Sequence, residues 1–536
     1  MRRGTLTGLW LLVTALVGGA VVMAVELLGA RMLSVGYGSS LAVWAAMISV
    51  TLLSLAVGYF VGGILSDLFP RPWFLHCILI AAGGLVAACP HFKSVVEQLY
   101  QNLGIRAGVL VSSLAIFSVP LCLLGMISPF VIRLLTRGRR VGVTAGGVYA
   151  ISTLGSVAGT LGTGLFLIPA LGPALGFRMT AVVAALTGAF GVITSVGWEG
   201  GVAFAIPFIL AVLPGPRSLE VGDTYVADGE RVTVLDARQS AYGRILVLEK
   251  GSGIGGQRLL VVNGIQQTGM SSRQRSGRTD RGDLLHHRYY QELLPYLVPD
   301  PRGRTALLIG LAGGTTAKMF AEHGIEVVAV DLDPEIIDVA REWFDFDDGD
   351  HAVVADGRQY LERCDRRFDF CVIDTYSGDA FPFHMASLEA FRAAKSVLAP
   401  DGVLAVNFIG SPTGRAFASI YKTLGRAFGH VLAVKNQGDN DVQTITLFGA
   451  DRSIRQELEK KRWRDDLVSY SFNPLPGGTP GIDRISSAVE RFTVVPDPGC
   501  GIVLTDDHNP IDSMRAAESV RWRRLSAQRI GEQALF

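Results

Sequence analysis

The apolar pattern changes character near residue 214. Before that point long apolar runs follow one another at about 6–33, 40–65, 74–90, 108–135, 143–170 and 176–197, each long enough to cross a bilayer as a helix. A shorter run, 201–213, ends in Pro214-Gly215-Pro216. Beyond it the segments become short and alternating. Arg231–Leu235, Gly243–Glu249 and Gln257–Val262 predict strands of a small antiparallel sheet, and Gly269–Gly282, rich in Ser, Arg and Gly, predicts a flexible loop. Tyr289–Leu297 predicts a short helix. Apolar runs then alternate with helical stretches, the pattern of a parallel sheet: strands at Leu307–Ile309, Val327–Val330, Val353–Asp356, Phe370–Asp374, Val403–Phe408 and Val442–Phe448, with helices near 385–400 and Thr413–Phe428. The resulting divisions are a polytopic helical membrane domain (1–214), a linker with a small β region (215–300), a Rossmann-like α/β domain (301–450) and a C-terminal extension (451–536).

Composition sharpens this picture. Over 536 residues the chain is 49% hydrophobic with a mean hydropathy of +0.35, too apolar to be wholly soluble. Lys plus Arg (49) nearly balance Asp plus Glu (48), so global charge gives no reason to expect a nucleic-acid partner. The six cysteines are scattered without CxxC or Cys/His metal spacing, so neither a disulfide framework nor a metal site is expected. The first apolar run is too long for a signal peptide and reads as a retained helix. Arg2, Arg3, Arg71 and the cluster Arg133, Arg137, Arg139, Arg140 mark cytoplasmic ends. Seven spans would put the C-terminal half outside and six would put it inside. The shortness of 201–213 favours six, hence a multi-pass cell-membrane protein whose soluble half faces the cytoplasm. Inside the first span, Glu26 precedes Arg31 by five residues, and a buried carboxylate there is a site candidate or a group pairing near the helix end. The glycine pairs Gly58/Gly62 and Gly155/Gly159 point to close helix packing.

The chemistry concentrates in 307–379. A strand enters a glycine-rich turn (Gly310, Gly313, Gly314), a helix follows, and the second strand closes on Asp331, placed to accept from a ribose diol. Two further strands end at Asp356 and Asp374, so three carboxylates should line one crevice at the carboxyl ends of a parallel sheet. Asp333, before Pro334, reads as a helix N-cap. Asp345, Asp347, Asp348 and Asp350 read as a solvated turn, and His286-His287 as an ordinary polar pair. Arg521, Arg523 and Arg524 near Trp522 read as a basic helix, with contact to a membrane surface as the competing reading.

Residues from about 240 to 450 resemble the spermidine synthase family of polyamine aminopropyltransferases, and the whole chain resembles the bacterial subgroup in which that domain follows a polytopic membrane domain. The motifs are NGIQQ at Asn263–Gln267, YQELL at Tyr290–Leu294, the glycine turn, VDLD at Val330–Asp333, ADG at Ala355–Gly357, DTYSGDAFPFH at Asp374–His384 and LTDDHNP at Leu504–Pro510. The resemblance implies a class I methyltransferase-type fold. It implies aminopropyl transfer from decarboxylated S-adenosylmethionine to an amine such as putrescine, the donor being a co-substrate with no further cofactor or metal. Asp374 would be the proton acceptor. Gly310, Gly313, Asp331, Asp356, Gly357 and Pro382 would bind the donor, and Gln267, Tyr290, Gln291, Tyr376 and Asp379 the acceptor. The expected partners are these small molecules and the lipid bilayer, with a homodimer as the expected assembly. Several family positions differ: GLAGG lacks the usual Asp, Ser377 falls where a second acid is usual, Tyr242-Gly243 stands for YQ, and His286-His287 replaces an acidic pair. Two alternatives stay open: a methyltransferase of the same fold using S-adenosylmethionine, and a non-enzymatic polyamine transporter or sensor, for which Glu26 and the small-residue helices speak.

Overall fold

A computed structural model describes residues 2–37, 41–136, 141–196, 219–251, 256–271, 291, 293–298, 300–347, 351–376, 378, 381–436, 441–462, 489, 491–497, 499–531 and 534. Contacts divide the chain into two compact units, Met1–Ser218 and Leu219–Phe536.

The first unit is helical: α1 (Arg2–Tyr37), α2 (Leu41–Leu68), α3 (Pro72–Ala88), α4 (Lys93–Gly125), α5 (Ile127–Leu135), α6 (Val141–Gly162) and α7 (Ile168–Val196). Among the described residues five stretches are long and apolar enough to cross a membrane: Thr7–Ser34, Ala42–Leu68, Pro72–Phe92, Ala107–Leu135 and Val141–Ser195. The sequence reading separated the last into two. The structure carries them as one run of 55 residues, Val141–Ser195, with a π-helical turn, Thr163–Leu167, inside the first. At 1.5 Å per residue such a run is about 80 Å if straight, far beyond a bilayer core of about 30 Å. The break lies at Gly172, whose backbone is non-helical (φ 70°, ψ 173°), just before Pro173. The segment 201–213 lies outside the described residues. The glycine pairs sit at close helix approaches. A Cβ on Gly58 would collide with the Cys122 carbonyl and one on Gly155 with the Leu16 carbonyl. Glu26 of α1 is half-buried and lies near the Thr51 hydroxyl of α2. Arg133 at the end of α5 donates to Asp67 at the end of α2 across 2.7 Å.

The second unit contains two sheets. The small one is an antiparallel meander of β1 (Thr224–Ala227), β2 (Glu230–Gln239), β3 (Arg244–Lys250), β4 (Gln257–Val262) and β5 (Ile265–Ser271), in that order. Three of these were expected. β1 is only four residues long, and β5 begins in the NGIQQ motif. Gly269 and Met270, assigned from sequence to a loop, pair with Leu259 and Arg258 as part of β5.

The large sheet has the order β11-β12-β10-β9-β6-β7-β8, built from β6 (Thr305–Ile309), β7 (Glu326–Asp331), β8 (Ala352–Val354), β9 (Phe368–Ile373), β10 (Leu398–Gly410), β11 (His430–Lys435) and β12 (Gln443–Ala450). β6 to β10 run parallel, while β12 is antiparallel to both β10 and β11. Strand β12 was expected from sequence at Val442–Phe448, next in line after Val403–Phe408. It inserts between β10 and β11, because it returns from β11 as a hairpin. The chain proceeds outward from β6 through β7 to β8 and then returns to β9 on the other side of β6. That reversal opens a crevice beyond the carboxyl ends of β6 and β9. Within the expected helix at 289–297, Gln291 is helical and Leu294–Leu297 forms a 3-10 turn with Pro295 near its start.

The C-terminal extension is part of this core. Leu504 and Ile511 are fully buried with Ile373, Phe408 and Phe417 on one face of the sheet. The helix Ile511–Ile530 ends against the small sheet, where the Tyr225 hydroxyl donates to the Ile530 carbonyl at 2.7 Å. Arg523 in that helix is 4% exposed, so it is not free to meet a membrane surface.

Candidate active site

The site begins at the end of β6. Asp374 N–H donates to the Ile309 carbonyl at 2.8 Å, keeping β9 hydrogen-bonded to β6 up to the catalytic candidate. Gly310 (φ 96°) then turns the chain away, and a Cβ there would collide with the Asp374 carbonyl. Only glycine permits both the positive φ and this approach. Asp331, Asp356 and Asp374 line one cavity of about 190 Å³, together with Gly310, Gly357 and Pro382. Gly313 lines neither this cavity nor its neighbour. It donates its N–H to the Thr268 hydroxyl at 3.2 Å and would press a Cβ to 2.6 Å from the Thr268 methyl, so it joins the two sheets instead.

Asp331 is held by backbone. Leu311 N–H donates to its Oδ2 at 2.9 Å and Asp333 N–H to its Oδ1 at 3.0 Å. Burial raises its pKa, and these two donors partly oppose the shift by favouring the carboxylate. Asp333 caps the next helix by accepting from Glu335 N–H. Asp356 caps the helix Gly357–Arg363 through Gln359 N–H at 2.9 Å, while its second oxygen lies 3.6 Å from His384 Nε2 on the opposite wall. That wall is tied down from a distance. Arg358 donates to the His384 carbonyl (3.1 Å), to Ser387 Oγ (3.2 Å) and to Asp506 (3.0 Å), and Asn509 donates to the Phe383 carbonyl at 2.8 Å. The LTDDHNP motif therefore supports the donor-side wall.

Asp374 stands between this cavity and a second one of about 200 Å³, and Gln267, Gly310, Ala312 and Tyr376 line both as well. Its carboxylate is held by amides: Asn407 Nδ2 donates to Oδ1 at 2.7 Å and Gln291 Nε2 to Oδ2 at 3.4 Å. Gln291 is oriented in turn by the Thr316 hydroxyl, which donates to its Oε1 at 2.7 Å. Tyr376 is fixed through its hydroxyl, which accepts from Ile409 N–H at 2.7 Å and donates to the Asn407 carbonyl. Gln267 Nε2 donates to the Gly378 carbonyl at 3.2 Å. Tyr290, Ser377, Asp379 and His286-His287 lie outside the described residues. The departure at Tyr242-Gly243 has a steric counterpart: a Cβ on Gly243 would collide with the Asn263 amide, which accepts from Arg244 N–H at 3.1 Å. Sequence reasoning missed Asn407 and Trp522. Asn407 is an isolated amide in an apolar strand (VLAVNFIG), which was its one available signal.

Such an arrangement offers a nucleoside-sized recess on one side and a polar recess on the other, with one carboxylate reaching both. A carboxylate so placed can bind an ammonium group and accept its proton.

A family model described as a methyltransferase domain matches residues 307–406. The chain is similar to a probable polyamine aminopropyl transferase of Bifidobacterium longum, 23% identical over 244 residues, covering 42% of this chain and 52% of that one. It is also similar to polyamine aminopropyltransferase 1 of Streptomyces coelicolor, 25% identical over 418 residues, covering 73% of this chain and 74% of that one. The chain thus spans about half the length of the first of these relatives. A solved spermidine synthase of Thermotoga maritima aligns over 51% of this chain and 93% of its own, at 19% identity with a TM-score of 0.37.

Proposed function

We propose that this chain, which is similar to polyamine aminopropyltransferases, transfers an aminopropyl group from decarboxylated S-adenosylmethionine to an amine acceptor, releasing methylthioadenosine. The observation that carries the reading is Asp374 shared by two adjoining cavities. The donor occupies the Asp331/Asp356 side, with Asp331 accepting from the ribose hydroxyls. The acceptor occupies the other side. Its ammonium loses a proton to Asp374, and the freed lone pair attacks the methylene next to the sulfonium. The carbon–sulfur bond breaks, and its electron pair stays on sulfur as neutral methylthioadenosine. Holding the amine and the methylene in line across Asp374 accounts for most of the acceleration. The helical unit anchors the enzyme in a bilayer, with the catalytic unit on the cytoplasmic face where the donor is made. Protease protection in oriented vesicles tests that orientation.

The test of the chemistry is incubation of the purified chain with labelled donor and a panel of amines. Methylthioadenosine release with one or more amines is the expected result. Its absence with every amine, while the donor binds, overturns the reading. A methyltransferase using S-adenosylmethionine is the second reading, favoured by the family model over 307–406. Competition between the two donors separates them.

A further inference from the structure

Among the described residues, the second cavity offers less negative charge than a diamine requires. An acceptor with two ammonium ends needs a negative group at each, since an unpaired buried cation is costly. Among the described residues lining this cavity, the charged side chains are Asp374 and Arg529. The remainder is apolar or neutral-polar, including Gln267, Asn436 and Gln443. Arg529 comes from the last turn of the helix Ile511–Ile530, whose Trp522, Ser526 and Arg529 follow one another at spacings of four and three and line the cavity together. Trp522 Nε1, a donor with no acceptor capacity, is buried with no partner among the described residues. Glu518 of the same helix does not line the cavity.

We propose that the acceptor is an amine carrying a carboxylate: its ammonium end meets Asp374 and its carboxylate end meets Arg529 and the Trp522 N–H. This deepens the aminopropyl-transfer reading and rests on it for the chemistry, although the binding preference can be measured separately. Among the described residues one cation stands opposite one carboxylate, which matches a zwitterion in charge, and the indole N–H supplies the donor that an oxyanion would take. In a diamine the far ammonium would face a guanidinium and an N–H.

The matched probes are 4-aminobutyrate and putrescine, which place a carboxylate and an aminomethyl group on the same aminopropyl skeleton. Each is titrated calorimetrically into the full chain in detergent saturated with methylthioadenosine, and methylthioadenosine release is followed separately with fresh donor. 4-Aminobutyrate should bind at least tenfold more tightly than putrescine. Arg529→Gln should erase that preference, and Arg529→Lys should restore most of it. Putrescine binding as tightly or more tightly, binding of neither amine, or an Arg529→Gln ratio equal to wild type would each overturn the proposal. Retained preference with no methylthioadenosine release from any amine would sink the transfer reaction while leaving the site's preference standing.

Discussion

The Asn407 amide donates to Oδ1 of Asp374 across 2.7 Å, from the strand adjacent to β9. This bond fixes the direction of the carboxylate that both cavities share, and the Asn407 backbone carbonyl accepts from the Tyr376 hydroxyl at 3.3 Å. One residue on β10 thus positions two side chains from the loop after β9. Asp374→Asn should lower methylthioadenosine formation by about 10²–10⁴-fold, the usual range for a lost general base. Asn407→Leu should cost about 10–100-fold, since a hydrogen bond to a charged group contributes roughly 1.5–3 kcal/mol. Both variants should bind donor with near wild-type affinity. Loss of donor binding in either would point to collapse of the loop instead.

Donor binding should depend on pH through Asp331. Burial raises this carboxyl above the ordinary carboxylate range in the folded chain. The folded state therefore holds its proton more readily than the unfolded state does, and between the two pKa values stability falls as pH rises. Ribose hydroxyls, in contrast, donate best to the ionised form. Acidification from neutral pH should thus weaken donor binding with a midpoint above the usual carboxylate value, while this group's contribution favours the unliganded chain. Calorimetric titration of donor across that range, alongside thermal melts without donor, checks both signs. Asp331→Asn should remove the pH dependence along with most of the affinity.

The wall formed by His384 and its neighbours should respond at Asp506. Asp506 touches neither cavity but binds Arg358, which also holds the His384 carbonyl. Asp506→Ala should raise the donor KM about tenfold, the equivalent of roughly 1.4 kcal/mol, with little change in kcat. A pure kcat effect would contradict a positioning role.

How much of this was legible depends on the length scale of the signal. The three strand-end carboxylates were readable because a parallel sheet brings successive strand ends to one edge, whatever lies between them. The N-cap at Asp333 was readable because capping is local. Asn407 was not, since a single amide in a buried strand announces no partner, and its partner lies 33 residues away. Trp522 and Arg529 were harder still. In sequence they sit in a basic helix without a visible apolar stripe. Only the docking of that helix across the two sheets turns its Trp522/Ser526/Arg529 edge into a cavity wall. At Gly313 the structure adds a contact that sequence did not announce, from its N–H to the Thr268 hydroxyl of the small sheet.

In the helical unit, tight packing and mere smallness can be told apart at two glycines of one helix. A Cβ at Gly155 of α6 would collide with the Leu16 backbone of α1, whereas one at Gly147, two turns earlier, would meet nothing within 4 Å. Valine at either position brings the same modest gain in helix propensity over glycine. The difference between the two variants therefore isolates the helix–helix contact. Gly155→Val should destabilise the unit by about 1–3 kcal/mol, the usual cost of forcing extra methyl groups into a packed interior, whereas Gly147→Val should leave the melting temperature nearly unchanged. Thermal unfolding of both variants in the same detergent provides the measurement. Equal melting temperatures would mean that α1 and α6 can separate without cost, removing close packing as the reason for the Gly155/Gly159 pair.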